Sequence, residues 1–356
     1  MLEPLMDYLI GGLYYILGND TVWGPWIRGI CGLIAMGIIL VFAMFAVWLE
    51  RKYAGDIQSR IGPNRVGGSH GELQLIADAI KLFTKEDLKP DKVDTPLWAG
   101  APILMFGSAL LMLVAIPFGA FVFYGKDYPL AVTQFDVSIL YLEAVSAIGI
   151  VGIFMAGWGS NNKFSVIAAF RNMARMIGYE VPLGLTIVSV AIMAHSLNIV
   201  DIVSAQSHIW YVIVAPLGFV IFMVALIADL GRIPFDQNEA EEELIAGWAT
   251  EYSGMRFGLG YFAEYIHMVL GACITVILFF GGWNLPGILV NLHPIFGLLP
   301  FAWFVFKVVL VLMFIIMVRW ALPRIRIDQV TTLGWKVLLP LALLNLAWTS
   351  VIGVIW

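Results

Sequence analysis

The sequence predicts an all-α integral membrane protein with about eight transmembrane helices and with amphipathic helices in its cytoplasmic loops. Of its 356 residues, 61% are hydrophobic and only 13% are charged, a composition outside the range of soluble domains. Apolar runs are spread over the whole chain, and no polar stretch between them is long enough for a separate soluble domain. We therefore expect residues 1–356 to form a single polytopic membrane domain.

Eight apolar runs are long enough to cross a bilayer, since a spanning helix needs about 20 mostly apolar residues. They lie near residues 28–49, 101–123, 138–158, 180–200, 210–230, 258–282, 301–322 and 334–356. An even number of spans places both termini on the same side of the membrane.

The basic residues predict the orientation of these spans, because short loops rich in Lys and Arg stay in the cytoplasm. The loops after spans 1, 3, 5 and 7 hold 8, 3, 2 and 4 basic residues, counting those at the adjoining helix ends, whereas the opposite face holds only Arg28 and Lys126. Residues 50–100, 159–179 and 231–257 are therefore expected to be cytoplasmic loops. Both termini are expected on the opposite side.

The first loop is too long for a simple connection and contains an amphipathic pattern. Leu73, Ile76, Ile80 and Phe83 share one helical stripe, and Asp78, Lys81 and Lys85 share another. This segment is too short and too charged to span the bilayer. It is expected to lie along the membrane surface or to cover a cavity between spans, and periodicity alone does not separate these two roles.

Charge and cysteine content exclude several classes of function. The net charge of −5 argues against a nucleic-acid partner, which needs a clustered basic surface. Cys31 and Cys273 both fall in apolar runs, so the sequence offers no disulfide framework and no cysteine motif for a metal or an iron–sulfur cluster. Any electrons must therefore travel in a partner chain.

A cluster of acidic side chains follows the fifth span, in the segment ADLGRIPFDQNEAEEELIAGWATEYSGMRF. The acids are Asp229, Asp236, Glu239, Glu241, Glu242, Glu243 and Glu251, with only Arg232 and Arg256 to balance them. If residues 236–248 are helical, then Asp236, Glu239 and Glu243 share a face. Crowding and burial raise carboxylate pKa values towards neutrality, as a proton relay requires. Charge alone favours the alternative of a solvated acidic loop.

Three further acids lie within the predicted spans: Glu143, Glu180 and Glu264. A lone charge there costs about 2.5–3.5 kcal/mol on insertion scales. A structural ion pair is one explanation, with Lys307 in span 7 as a candidate partner. Three acids against one base leave protonation or a water-filled path, so these residues favour the relay over the solvated loop.

The end of the first span reads ERKYAGDIQSRIGPNRVGG and places several basic residues at the cytoplasmic boundary beside a Gly/Pro turn. Anchoring of the span by these positive charges is one interpretation. Binding of a quinone headgroup or of a partner's acidic surface is another, since glycines allow close backbone approach. The residues alone leave both open.

Several segments together resemble one family, the quinone-site membrane subunit of respiratory complex I, called the H subunit in bacteria and NADH dehydrogenase subunit 1 in mitochondria. The segments are ERK, RIGPNRVG, LQLIADAIKLFTKE, ARMIGYEVPLG, GRIPFD, the Glu239 cluster, EYSGMRF and AEY, which extend from residue 50 to about 265. The eight predicted spans agree with the architecture of that family. The resemblance implies that the loops after spans 1, 3 and 5 form the quinone chamber and the subunit interface.

The resemblance also implies roles for residues at matching positions. Arg51, Asp78, Arg232, Phe235 and Asp236 resemble residues of the quinone cavity or its rim. The implied proton and charge relay comprises Glu143, Glu180, Asp229, Glu239, Glu241, Glu243, Glu251 and Glu264. Asp229 stands where the family often has Glu, Glu242 stands where a small residue is usual, and the extra residues around His70 and Glu72 leave those two without an implied role.

The implied function is that of a subunit of a proton-translocating NADH:quinone oxidoreductase in the bacterial cytoplasmic membrane. Quinone is the expected substrate, while NADH, FMN and iron–sulfur clusters belong to partner subunits. The expected partners are the peripheral-arm iron–sulfur and quinone-site subunits, small membrane subunits, antiporter-like subunits and membrane lipid. The alternatives are a homologous subunit of a membrane-bound hydrogenase or other donor:quinone dehydrogenase, a stand-alone proton or cation transporter, and a structural anchor for a peripheral arm.

Overall fold

Long apolar helices make up most of the fold. The computed structural model describes residues 24–68, 70–123, 126–133, 135–237, 241–285 and 299–355. Its α-helices are α1 (Gly24–Ile57), α2 (Gln74–Thr84), α3 (Thr95–Ala115), α4 (Ser138–Gly159), α5 (Lys163–Ala194), α6 (Ile199–Ala205), α7 (Tyr211–Val214), α8 (Pro216–Asp229), α9 (Glu241–Leu244), α10 (Gly254–Phe279), α11 (Leu299–Ala321), α12 (Ile327–Thr332) and α13 (Leu339–Ile355). A 3₁₀ turn covers Gly247–Glu251, and a π-helical segment covers Leu333–Leu338.

Seven helical segments in the described part of the chain are long and apolar enough to cross a membrane. They are Gly32–Ile57, Thr95–Ala115, Ser138–Gly159, Lys163–Ala194, Gly254–Phe279, Leu299–Ala321 and Ile327–Val354. The last of these joins α12, the π-helical segment and α13 into one rod. The expected all-α membrane fold is confirmed.

The fifth predicted span, residues 210–230, is not one continuous helix. Ala215 interrupts it, and α8 starts again at Pro216 and is only 14 residues long. Pro lacks the amide hydrogen that an unbroken helix would need, yet it is well suited to the first turn of a new one. Among the described residues, the count of full-length spans is therefore seven, with α7 and α8 together in the place of the eighth.

Three other sequence-based boundaries were wrong. The span predicted at 101–123 begins at Thr95 and ends at Ala115. Residues 163–179, expected in a cytoplasmic loop, form the first half of α5, which continues without a break to Ala194. Residues 236–248 do not form one helix: of the described residues among them, only Glu241–Leu244 is α-helical, and Ile245 has a positive φ of 65°.

A short antiparallel hairpin was not expected from the sequence. Its strands are β1 (Ala120–Phe123) and β2 (Lys126–Pro129), with Ala120 opposite Pro129 and Phe123 opposite Lys126. The hairpin follows the end of α3, and its backbone is tied at the base by hydrogen bonds between Phe118 and Leu130 and between Leu130 and Gly119.

The helices alternate in direction, so the bundle has two distinct ends. One end, called the loop end here, holds the described residues between α1 and α3 and between α8 and α10, together with residues 160–162 and 322–326. Backbone hydrogen bonds tie these segments together, from Asp94 N to Gly159 O at 3.0 Å and from Ile325 N to Pro234 O at 3.0 Å. The other end, where α3, α5 and α10 finish, is called the far end.

The amphipathic segment of the first loop does form a helix, α2. Its Leu82 side chain packs against α10 at Gly258, where an added Cβ would lie 2.9 Å from a leucine methyl. Ile76, Ile80 and Phe83 point away from the bundle and are 49%, 59% and 69% exposed. The apolar stripe predicted from periodicity is therefore present on the outer surface.

The close packing of α4 on α5 at Gly157 predicts that a larger residue at this position lowers the stability of the protein. A Cβ built at Gly157 would lie 2.5 Å from the Cβ of Ala169 and 2.6 Å from the carbonyl oxygen of Ser165. We expect Gly157→Ala to lower the free energy of unfolding by about 1–3 kcal/mol, the usual cost of overpacking. Thermal unfolding of the purified, detergent-solubilised protein measures this.

Gly107→Ala is the matched control, because Gly107 also lies in a spanning helix and an added Cβ there meets nothing within 4 Å. It should unfold at or slightly above the temperature of the unchanged protein, since Ala is the better helix former. Equal destabilisation by both substitutions would contradict the described α4–α5 contact.

Candidate functional site

A buried cluster of charges lies at the loop end, where α1, α11 and the segment after α8 meet. Glu50 is only 4% exposed. One of its carboxylate oxygens pairs with Arg319 Nη1, and the other lies 3.7 Å from Arg232 Nη1. The Arg232 guanidinium also stacks over the Tyr265 ring, 4.4 Å from its centroid. Two arginines thus share one carboxylate, and one of them, Arg232, also lies over an aromatic ring.

The protonation of Arg232 follows from these neighbours. Burial alone lowers the pKa of its guanidinium, but Tyr265, Glu50 and Glu264 outweigh this and raise that pKa above the ordinary value. Arg232 therefore stays charged, and a fixed positive charge stands at the position that the resemblance assigns to the quinone rim.

The RIPFD segment is held in place on both sides. Asp236 accepts a hydrogen bond from Arg324 Nη2 at 3.0 Å, and the Phe235 carbonyl accepts one from Arg175 Nη1 at 2.9 Å. The Phe235 ring packs against the Tyr179 ring with centroids 5.2 Å apart. Phe235 and Asp236 are both buried, so this segment is a rigid wall and not a solvated loop.

Arg51 and Asp78, the other two predicted rim residues, form an ion pair of their own. Arg51 Nη1 lies 2.5 Å from Asp78 Oδ2, and the side chains are 43% and 32% exposed. Their pair joins the end of α1 to the amphipathic α2. It is more open than the Glu50 cluster, although Arg51 follows Glu50 directly in the chain.

The first loop and the EYSGMRF segment are fastened together. Ser253 Oγ accepts a hydrogen bond from Leu88 N at 2.9 Å and donates one to Glu86 O at 3.1 Å. Arg256 Nε lies 3.2 Å from Asp87 Oδ2, and its guanidinium stacks over the Trp98 ring at 4.1 Å. These contacts bring together two of the three predicted chamber loops.

A cavity of about 100 Å³ lies between α3, α4, α5, α8 and α10. About 10–15 Å³ is enough for one water molecule, so this cavity could hold several. Its walls are mostly Met, Ile and Leu, and its titratable lining residues are Glu143, Asp229, Glu264 and His267. Three of the predicted relay acids, from three different helices, are thus brought to one space.

The polar groups of this cavity are incompletely paired within the described chain. Glu143 Oε1 and His267 Nε2 are buried and make no hydrogen bond to any described residue. Glu180 lies on α5, is half-buried and is not among the residues that line the cavity. A buried carboxylate without a cationic partner favours its neutral form or ordered water.

The acids of the loop after α8 are in a different place. Glu243 pairs with Arg171 of α5, and Glu251 Oε1 accepts a hydrogen bond from Asn162 Nδ2 at 2.7 Å. Both therefore lie at the loop end and outside the cavity. Glu241 begins α9, and Glu239 lies outside the described residues, as does part of the predicted acidic face.

Lys307 is not the ion-pair partner proposed for the intramembrane acids. Its ammonium donates to the backbone carbonyls of Phe280 and Gly282 at 2.7 and 2.9 Å, at the far end of the bundle. Because these carbonyls accept the hydrogen bonds of its ammonium, Lys307 can occur in this span without a carboxylate beside it.

Sequence reasoning did not select several residues that the structure places at the site. Glu50, Arg175, Arg319, Arg324 and His267 are among them. A buried charge in or beside a span was a usable signal for Glu50 and Arg175, but both were interpreted only as boundary or loop charges. No group of three or more potential metal ligands occurs among the described residues.

A family profile and several known proteins are similar to this chain over most of its length. A family profile described as NADH dehydrogenase matches residues 30–350. The H subunit of the F(420)H(2) dehydrogenase of Methanosarcina acetivorans is 62% identical over 92% of this chain and 94% of its own length. An H subunit of the NADH-quinone oxidoreductase of Syntrophobacter fumaroxidans is 44% identical over 93% and 98%, and that of Dehalococcoides mccartyi strain CBDB1 is 45% identical over 89% and 84%.

The shared carboxylate of Glu50 yields a prediction. In Glu50→Gln, the shape is kept but Arg232 and Arg319 lose the counter-charge that they share. Breaking a buried pair costs about 3–5 kcal/mol, so we expect a loss of that order in the free energy of unfolding. Chemical denaturation in detergent measures it.

The control is Asp328→Asn, which breaks the Arg326–Asp328 pair. Those side chains are 80% and 66% exposed and 3.5 Å apart, and exposed pairs contribute about 0–1 kcal/mol. If Glu50→Gln were no more destabilising than this control, the buried cluster would not hold α1, α11 and the segment after α8 together.

Proposed function

Since this chain belongs to the NADH dehydrogenase family of membrane subunits, we propose that it forms the membrane wall of a quinone-binding chamber in a complex I-like oxidoreductase. There it couples quinone reduction to proton pumping. The loop end is the chamber side, and the carboxylates of the bundle carry the effect of the reaction into the membrane. The observation that supports this most is the cavity lined by Glu143, Asp229 and Glu264.

The rim residues suit the quinone. Arg232 offers guanidinium donors for a quinone carbonyl, Phe235 offers an aromatic face beside Tyr179, and Asp236 is fixed by Arg324. Arg51 and Asp78 stand at the more open side, where the headgroup would enter. The partner subunits close the chamber, since this chain supplies only one wall.

The coupling follows from charge balance. Reduction of one quinone to quinol takes up two electrons from a partner's redox chain and two protons. Withdrawal of those protons leaves negative charge at the rim, and carboxylates nearby respond by changing their own protonation. Arg175 links the two regions: its side chain holds the Phe235 carbonyl of the rim, and its charge is felt by Asp229 and Glu264 of the cavity.

The loop acids would connect the rim to the cavity. We propose that Glu239, Glu241, Glu243 and Glu251 carry protons along the loop end and that Glu180 and Glu143 continue the path into the spans. The pairs Arg171–Glu243 and Asn162–Glu251 fix the outer members of this path against α5. The basic loops support an orientation with the loop end in the cytoplasm.

The electron donor depends on the partners. NADH is the donor that the complex I resemblance implies, but the F(420)H(2) dehydrogenase subunits are 61–62% identical to this chain, against 43–45% for the NADH-quinone oxidoreductase subunits. This difference favours F(420)H(2) as the donor of the assembly. A stand-alone transporter and a purely structural anchor have no comparable support.

Donor choice can be measured directly. We expect the affinity-purified complex to reduce a soluble quinone analogue at least tenfold faster with F(420)H(2) than with NADH, and mass spectrometry of the copurifying subunits to identify the donor-binding partner. A faster rate with NADH would assign the chain to the NADH-dependent branch of its family. Proton transport by the purified single chain without partners would instead support the transporter.

Glu143→Gln tests the relay. It keeps the side-chain shape but removes a titratable group from the cavity, so we expect at least a tenfold fall in both quinone reduction and proton pumping, equivalent to about 1.4 kcal/mol or more of barrier. The amounts of assembled complex must be measured separately. Glu239→Gln and Glu241→Gln test the loop half of the path in the same assay.

Asp136→Asn is the control, because Asp136 is an exposed acid two residues before α4. It should leave reduction and pumping within twofold of the unchanged complex. Full activity of an assembled Glu143→Gln complex would count against the relay, whereas a failure of assembly with normal turnover in what remains would favour the anchor.

A further inference from the structure

Lys307 is a buried cation within a spanning helix. It is the ninth residue of α11 and is only 6% exposed. A charge at such a depth is costly and needs a reason. Within the described residues, no carboxylate lies within ion-pair distance of it, so the reason is not an ion pair.

Three backbone carbonyls surround the ammonium. Lys307 Nζ lies 2.7 Å from Phe280 O, 2.9 Å from Gly282 O and 3.5 Å from Asn284 O. An ammonium has three N–H donors, so each has an acceptor. The Trp210 and Trp303 rings complete the enclosure, with centroids 4.9 and 5.4 Å from Nζ.

The carbonyls lie at the C-cap of α10 and in the turn that follows it. Gly282 N donates to Val276 O at 3.0 Å, and Gly281 has a φ of 68°, which is the left-handed termination typical of helix ends. Free carbonyls there carry the negative end of the helix dipole. Without Lys307, three inward-pointing carbonyls would form a site attractive to a free cation or a hydrated proton.

This enclosure directly follows the acidic cavity. The cavity is lined as far along α10 as Leu278, and the first caging carbonyl belongs to Phe280. Between them lies a cluster of aromatic rings in edge-on or tilted contact. Phe222, which also lines the cavity, is 5.3 Å from Phe279, and Phe219 is 5.5 Å from Phe279 and 5.4 Å from Phe280, centroid to centroid. Phe222 and Phe279 are almost completely buried.

We propose that Lys307 is a tethered cation that closes the far end of the acidic cavity against protons and free cations. The aromatic cluster excludes water, and the ammonium both fills the carbonyl cage and repels positive charge. Protons in the cavity can then move only within the bundle and towards its loop end or its sides. This role rests on the proposal that the cavity carries protons.

The test is passive proton leak in the absence of any electron donor. The purified complex is reconstituted into vesicles, a pH gradient is imposed with the membrane potential clamped by potassium and valinomycin, and an internal pH dye reports the decay. We expect Lys307→Gln and Lys307→Met to leak at least fivefold faster than the unchanged complex. Lys307→Arg keeps the charge and should remain tight.

Lys336→Met is the matched control, since Lys336 is an exposed lysine in the π-helical segment, and it should not leak. Gln can still donate to the carbonyls, so Lys307→Gln carries the test if Lys307→Met does not assemble. An assembled Lys307→Gln complex with an unchanged leak would overturn the proposal and leave Lys307 as a helix cap. A leak in Lys307→Arg equal to that in Lys307→Gln would also overturn it, since charge would then not matter.

A double variant separates this role from the relay itself. In Lys307→Gln with Glu143→Gln, the leak should return to within twofold of the unchanged level, because the path through the cavity is interrupted. A leak that persists in the double variant would place the path elsewhere and overturn the link to the cavity. Because no electron donor or quinone is present, the measured leak does not depend on whether the Glu143→Gln substitution also slows quinone reduction.

Discussion

The cost of an unpaired charge among apolar helices governs this fold. A charged side chain in the membrane is tolerated only when a partner, a backbone dipole or water compensates it. The described part of the bundle contains several such charges, and most are compensated by fixed protein groups. Glu50 lies between two arginines, Arg175 is held by a backbone carbonyl and a side-chain amide, and Lys307 is enclosed by carbonyls.

Two incompletely paired groups line the cavity. Among the cavity residues, Glu143 has a carboxylate oxygen and His267 a ring nitrogen with no hydrogen bond to the described chain. If stability were the only requirement, an apolar side chain at either position would avoid the cost of burial. A group whose charge is not fixed by a cation can change its protonation with little rearrangement. The arrangement that is poor for stability is therefore the one a relay needs.

Much of the fold could be predicted from the sequence, because length and hydropathy decide whether a segment spans a bilayer. The break of the fifth span does not show in the length of the apolar run, although Pro216 is a local signal for it. Residues 163–179 resemble a loop in the sequence, with Lys163, Arg171 and Arg175 in this stretch. Those charges fit a helix only because Arg175 finds its partners in Phe235 and Asn172, and the contact with Phe235 is a tertiary one that no local pattern reveals.

The candidate site, too, could be predicted from the sequence only in part. The acids of the spans were recognisable because a carboxylate in an apolar run is rare, and the rim residues were recognisable because they belong to motifs. The partners that fix them come from distant parts of the chain: Glu50 and Arg319 are 269 residues apart, and Asp236 and Arg324 are 88 apart. Short-range periodicity carries no information about such pairs.

Buried positive and negative side chains occupy different parts of the bundle. The buried arginines lie at the loop end of the bundle and Lys307 lies beside the end of α10, whereas the titratable residues of the cavity between them are acids and a histidine. Positive charge fixed at both ends of an acidic space raises the cost of a proton entering or leaving along the bundle axis. A change of charge at the loop end alters that cost more at the nearer end, where Arg175 and Arg232 lie, than at the end that holds Lys307, because the Coulomb interaction weakens with distance. This asymmetry would give a reaction at the loop end a directional effect on protons held in the cavity.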